Sequence, residues 1–146
     1  MTRFVDDYLL YLLAQASGTA SAAFHARIEA EGVPVATWRI LATLYPDAPA
    51  SLGDLARACM TKQPTMTRQI DRLAEKGLVH RETEPGGDRR RVVVRLTEEG
   101  RTLAAHLVTL AEAHEADLLS RTGARDMERL KKVLRAVIET EREHAE

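Results

Sequence analysis

The sequence predicts a mainly α fold (α+β) with one two-stranded hairpin past its middle, and three observations predict it. Apolar residues recur at helical spacing through both ends of the chain. Two short amphipathic stretches follow one another across a tight connection, from Ser51 to Lys76. A run of alternating residues on either side of Pro85-Gly86-Gly87-Asp88 has the period and the turn chemistry of a β-hairpin.

Residues 4–30 carry Val5, Leu9, Leu12, Leu13, Ala16, Ala20, Phe24 and Ile28 on a helical repeat, which Gly32 and Pro34 interrupt. Pro34 suits the first turn of a second helix bearing Trp38, Leu41, Ala42 and Tyr45, and PDAPA ends it. Ser51 is placed to cap a short helix, SLGDLARAC, with Asp54 favourable in its first turn. TKQPTMTRQIDRLAEK predicts a further helix, with Thr61 as its cap, Pro64 tolerated in the first turn and Gly77 as its stop. Residues 78–84 and 90–96 read as strands, the second alternating Val92, Val94 and Leu96 against Arg91 and Arg95. Thr97 then caps a long helix with a stripe of Leu103, Leu107, Leu110, His114 and Leu118. Gly123 breaks it, and a last helix runs through Met127, Leu130, Val133, Leu134, Val137 and Ile138.

With 146 residues, 45% of them apolar, the chain is long enough for one packed domain, built mainly from aliphatic side chains because aromatics make up only 4%. No apolar run approaches the ~18 residues a membrane span requires. Acids precede the apolar stretch of MTRFVDDYLLYLL, which does not read as a signal peptide, so a cytoplasmic location is expected. The net charge of −1 argues weakly against a nucleic-acid partner, but its distribution argues for one. Residues 57–95 hold ten Lys/Arg against five Asp/Glu, a balance of +5, while the segments on both sides are acidic.

Two short helices, a tight connection and a basic hairpin are the parts of a winged helix-turn-helix. The reading is one domain over residues 1–146: the winged helix-turn-helix at 35–97, flanked by long dimerisation helices at 1–34 and 98–146. On the wheel of helix 61–76, Met66, Ile70, Leu73 and Ala74 share an anchoring face, and Arg68 and Arg72 lie opposite. An arginine there can donate a bidentate pair to guanine, worth roughly 1–3 kcal/mol of discrimination. Ser51, Lys62, Gln63, Pro64, Thr65 and Thr67 are further candidate contacts to bases or phosphates. Arg89, Arg90 and Arg91 stand beside the glycines of the hairpin tip, a composition suited to the narrow, electronegative minor groove. The terminal helices carry more apolar surface than a body of about 60 residues can cover, so packing against a second copy is expected.

The stretch KQPTMTRQIDRLAEKGLVHRETEPGGDRRRVVVRLTEEGR resembles the MarR/SlyA family of bacterial transcription regulators. The resemblance rests on the helix ending in DRL and KGLV, the Asp88-Arg89-Arg90 signature and the LTEEGR that restarts a helix. It extends to VPVATWRILATL and to the order of the flanking helices. It implies that Arg68 is the arginine of the recognition helix, that Arg90 enters the minor groove, and that Asp88 orients the wing arginines. It implies a symmetric dimer, and a cleft receptive to small aromatic acids, which Ser17, His25, Trp38 and Arg39 could line. The alternative is that Trp38 is core, His25 packs at the dimer interface and Arg39 is solvated or paired.

Cys59 is the candidate redox residue. A sensing thiol is exposed and near a cation or a second cysteine; Arg57 and Lys62 are close in sequence, but no second cysteine exists, and Cys59 reads as a packed residue. The five histidines form no i, i+4 pair, so no metal site is expected, nor any cofactor beyond an effector. No glycine-rich phosphate loop and no nucleophile–base pair points to an enzyme. The expected function is a ligand-responsive repressor, a homodimer on pseudo-palindromic duplex DNA, associated with the nucleoid when bound. The alternatives are an effector-independent architectural DNA-binding protein, a redox sensor through Cys59, and a helical adaptor whose basic hairpin is accidental.

Overall fold

The computed structural model describes all residues except Gly87 and Asp88, and only the backbone of Gly86, Arg89, Arg90 and Ala124. Among the described residues, six α-helices and one antiparallel hairpin follow the expected order: α1 Leu9–Ala30, α2 Val35–Leu44, α3 Leu52–Ala58, α4 Gln63–Glu75, β1 Val79–Gly86, β2 Arg89–Leu96, α5 Glu98–Thr122 and α6 Ala124–Ala145. The fold is mainly helical with a two-stranded wing, as the patterning predicts. Among the described residues no helix is long and apolar enough to cross a membrane. Contacts divide the chain into two compact units, Met1–Ala111 and Glu112–Glu146.

The first unit holds the core. Phe24 and Ile28 of α1 meet Ile40, Leu41 and Leu44 of α2, and α3 and α4 add Leu55, Met66, Ile70 and Leu73. Val79, Val94 and Leu96 at the hairpin base and Ala104 and Leu107 of α5 complete it. Met66, Ile70 and Leu73 are the anchoring face predicted for the fourth helix, buried because their spacing returns them to one side at 3.6 residues per turn. Ser51 caps α3 as expected, its Oγ accepting from the Asp54 N–H at 3.1 Å. Thr97 caps α5, accepting from the Gly100 N–H at 3.0 Å while donating to the Gly77 carbonyl at 2.6 Å.

Several boundaries differ from expectation. A 3-10 turn occupies Phe4–Asp7, and α1 begins only at Leu9, so Val5 lies outside the helix. Tyr45 follows the end of α2 with extended backbone. The strands run further toward the tip than 78–84 and 90–96: Pro85 pairs with Arg90, and Gly86 with Arg89. A proline lacks a donor yet is tolerated near a strand end. Val92 is 50% exposed, against the predicted alternation, while Val93, Val94 and Leu96 are buried. Ala50 forms a one-residue bridge with Val94 (3.1 and 2.8 Å), and Val92 lies two residues further toward the tip on the same face of the strand, while Val93 on the other face is buried as well.

The second unit contains the last turns of α5 and all of α6, reversed at Gly123 with φ +98°. Lys131 of α6 pairs with Glu115 of α5 at 3.0 Å. Leu130, Val133, Val137 and Ile138 of α6 are exposed in the single chain.

Candidate nucleic-acid interface

α3 and α4 are joined by four residues, Cys59 to Lys62, which turn the chain sharply. Thr61 does not cap α4 as the sequence suggests. Its hydroxyl donates to the Cys59 carbonyl at 3.1 Å, and the N-cap is Lys62, with extended backbone and no capping side chain. A helix start without a side-chain cap keeps first-turn N–H groups available to another acceptor, with the positive end of the helix dipole behind them.

Lys62, Gln63 and Pro64 are exposed at this end, and Arg68 and Arg72 are exposed along the face opposite Met66 and Ile70. Arg68 makes one weak contact, its Nη2 to Thr65 Oγ1 at 3.4 Å. Thr65 and Thr67 are half-buried, and the Thr67 hydroxyl donates back to the Gln63 carbonyl at 3.1 Å. Ser51 is half-buried, with its oxygen engaged as the α3 cap. The arrangement presents a long guanidinium donor to an accepting partner, and among the described residues only the weak Thr65 contact holds it.

The hairpin is tied to three different elements by its own arginines. Arg81 of β1 pairs with Asp71 of α4 at 2.7 Å. Arg95 of β2 reaches Asp47, in the turn before α3, at 2.7 Å, and also Glu82 and Glu84 of β1 at 2.9 and 3.2 Å. Arg91 of β2 pairs with Asp54 of α3 at 2.6 Å. Single exposed pairs contribute about 0–1 kcal/mol. Their joint effect, with the Ala50–Val94 backbone bridge, is to fix the hairpin's angle against α3 and α4.

In the single chain Arg91 is engaged with Asp54. No local pattern points to this pair, because the two residues are 37 positions apart. Arg81–Asp71 and Arg95–Asp47 escaped sequence reasoning for the same reason. Asp88 lies outside the described residues, as do the side chains of Arg89 and Arg90.

Asp54 accepts from Arg91 and from Arg57, the latter at 3.3 Å. The Ser51 hydrogen bond first, then the Arg91 and Arg57 charges, hold its carboxyl below the ordinary 3.8, against the opposing effect of burial. A depressed carboxyl contributes stability above its unfolded value and loses it as pH falls through the folded one. Asp54→Asn is thus expected to destabilise the protein modestly at pH 7, and the difference from wild type should shrink below about pH 4, as urea unfolding at several pH values would measure.

Trp38 is half-buried and meets the Phe24 ring edge-on, with centroids 5.0 Å apart, and the His25 ring lies 6.0 Å from the same phenyl. His25 and Trp38 thus share Phe24 as a neighbour. Ser17 is exposed two turns earlier on α1, where its carbonyl accepts from Ser21 at 2.6 Å. Arg39 is exposed on α2 and lies near enough to Cys59 for its charge to act on the thiol. Cys59 is a buried core residue, its Sγ 3.8 Å from Thr43 Oγ1, and burial pushes the thiol up, which favours the neutral form over a reactive thiolate.

The model of the MarR family matches residues 34–92, which span α2 to the middle of β2. A MarR family transcriptional regulator from Silicibacter pomeroyi DSS-3, solved by crystallography, is 43% identical; the match covers 95% of this chain and 98% of that one, with a TM-score of 0.84. NadR, solved in complex with 4-hydroxyphenylacetate, is 26% identical over 94% of this chain and 96% of its own, with a TM-score of 0.81. The match extends beyond the helix-turn-helix and wing to the terminal helices, and on this ground the chain belongs to the MarR family of transcriptional regulators.

Proposed function

We propose that this protein is a ligand-responsive repressor that binds a pseudo-palindromic duplex as a homodimer. The observation that carries the DNA reading is the exposed Arg68–Arg72 face of α4, opposite the buried Met66–Ile70–Leu73 face, beside a hairpin braced by ion pairs. In this reading residues 35–97 form the DNA-binding part. Lys62, Gln63, Pro64, Thr65, Thr67, Arg68 and Arg72 meet the major groove and its phosphates, with Ser51 at the α3 start. Asp88, Arg89 and Arg90 serve the minor groove, and Arg91 reaches a phosphate only by giving up Asp54.

Residues 1–34 and 98–146 form the dimer contact. Support comes from the apolar side chains these segments leave exposed in the single chain: Phe4, Leu9, Leu10 and Leu12 near the start, and the four exposed aliphatics of α6. Covering them with a second copy removes apolar area from water, at roughly 25 cal/mol per Å². The effector class is a small aromatic acid, on the precedent of NadR with 4-hydroxyphenylacetate. His25 and Trp38 supply the ring contacts of that site, Ser17 and Arg39 the polar ones, and the protein acts in the cytoplasm on nucleoid DNA. No other cofactor enters the reading, and no chemical step is assigned to the protein.

Selection of bound duplexes from a random library tests the central claim. Enrichment of an inverted repeat with half-sites about 10 base pairs apart is expected, and a dimer in sedimentation at micromolar concentration. An unselective pool would favour an architectural role, and a strict monomer would remove the symmetric reading. Trp38 is the only tryptophan, so its fluorescence reports directly on an added aromatic acid; a flat titration with 4-hydroxyphenylacetate would count against that effector.

A further inference from the structure

Three helices of this chain end with the same pair of hydrogen bonds. At the end of α1, Gly32 (φ +83°) donates to Glu29 at 2.9 Å and Val33 donates to Ile28 at 3.0 Å. At the end of α4, Gly77 (φ +73°) donates to Ala74 at 3.0 Å and Leu78 donates to Leu73 at 2.9 Å. At the end of α3, Met60 (φ 51°) donates to Arg57 at 3.2 Å and Thr61 donates to Ala56 at 2.8 Å. This closure demands a left-handed residue, which glycine supplies without a steric penalty. The chain meets the demand with glycine twice and with a long side chain once. Met60 is the one non-glycine residue with positive φ among the described residues.

Strain of this kind persists where the side chain is needed. Packing within the chain does not account for it, because Met60 is 86% exposed whereas Cys59 beside it is 4% exposed. Its position does point to a partner. Met60 stands in the turn of the helix-turn-helix, two residues before the N-cap Lys62, at the end of α4 where Lys62, Gln63 and Pro64 are also exposed.

We infer that Met60 is a DNA-contacting residue, its thioether lying against the apolar face of the duplex at the rim of the major groove. The inference rests on the DNA reading above and adds an apolar contact to a set of arginine, lysine and amide donors. An unbranched, polarisable side chain adapts to an irregular apolar surface, and a duplex offers two: the deoxyribose edge and the thymine methyl.

The test uses the full chain and a duplex selected by the wild type, with Met60→Gly and Met60→Leu. Met60→Gly relieves the left-handed strain, so thermal unfolding should stay level or rise, while the Kd weakens about tenfold on loss of the apolar contact. Met60→Leu should bind within about twofold of wild type, since volume and apolarity are kept. Replacing thymine by deoxyuridine across the site separates the two sources: a weaker Kd for wild type but not for Met60→Gly assigns the methyl, and no change assigns the sugar. An unchanged Kd for Met60→Gly overturns the inference, as does a fall in Tm that tracks the loss of binding, or a change in sedimentation showing that Met60 meets a second copy. A wild type that selects no duplex overturns the DNA reading together with this one; a wild type that selects while Met60→Gly binds equally well overturns this one alone.

Discussion

Gly100→Ala is expected to destabilise the protein by roughly 3 kcal/mol, seen as a lower urea midpoint and a fall in Tm of about 10 °C. Gly100 is buried in the first turn of α5. A Cβ there would clash with backbone: the Leu78 carbonyl oxygen, and its carbon at 2.8 Å. Leu78 has little room to retreat. Its N–H is bonded to Leu73, its carbonyl accepts from Thr97 at 3.1 Å, and the preceding Gly77 carbonyl is held by the Thr97 hydroxyl. Gly53→Ala is the control. The nearest atoms to a Cβ at Gly53 lie 3.9 Å away, so the helix gains about 0.5–1 kcal/mol from the change. Equal effects of the two substitutions would show that the Leu78 contact does not decide the cost.

Arg68→Ala should reduce the preference for a selected duplex over random DNA by roughly 10- to 100-fold, the worth of one bidentate base contact. The fold should survive, since the side chain is exposed, its one hydrogen bond among the described residues is the weak one to Thr65, and alanine is the best helix former. A circular dichroism spectrum and an unfolding curve would confirm that the loss lies in binding. Arg90→Ala should behave differently, weakening all duplexes alike and lowering the slope of log Kd against log salt by about 1. If Arg68→Ala left selectivity intact, the reading of α4 as the base-reading helix would fail.

The local periods of the sequence carried most of the fold. Met66, Ile70 and Leu73 repeat at the spacing of one helix face, and Pro85 to Asp88 supplies turn residues between β-rich runs, so α4 and the hairpin were visible before any contact was known. The caps at Ser51 and Thr97 were legible because a cap acts within three residues. Thr61 misled for the complementary reason: its hydroxyl had two acceptable local uses, and the Cys59 carbonyl won. Val92 misled because alternation assigns one buried face, whereas Val93 and Val94, on opposite faces of the strand, are both buried.

By itself, then, the sequence determined the helices and the exposed arginine face of α4, written in neighbours at most four positions apart, the hairpin, written in period-two alternation about its turn residues, and the family these parts resemble. Tertiary structure alone decided which charges are spent inside the molecule. Arg91 has the same composition and surroundings as Arg90 in the sequence, yet it lies within 2.6 Å of Asp54, a residue 37 positions away. The same holds for Gly100. In LTEEGR it reads as a weak helix former, and only the Leu78 carbonyl packed against it shows why no side chain fits. Contacts across the fold depend on chain closure over long separations, which no local pattern encodes.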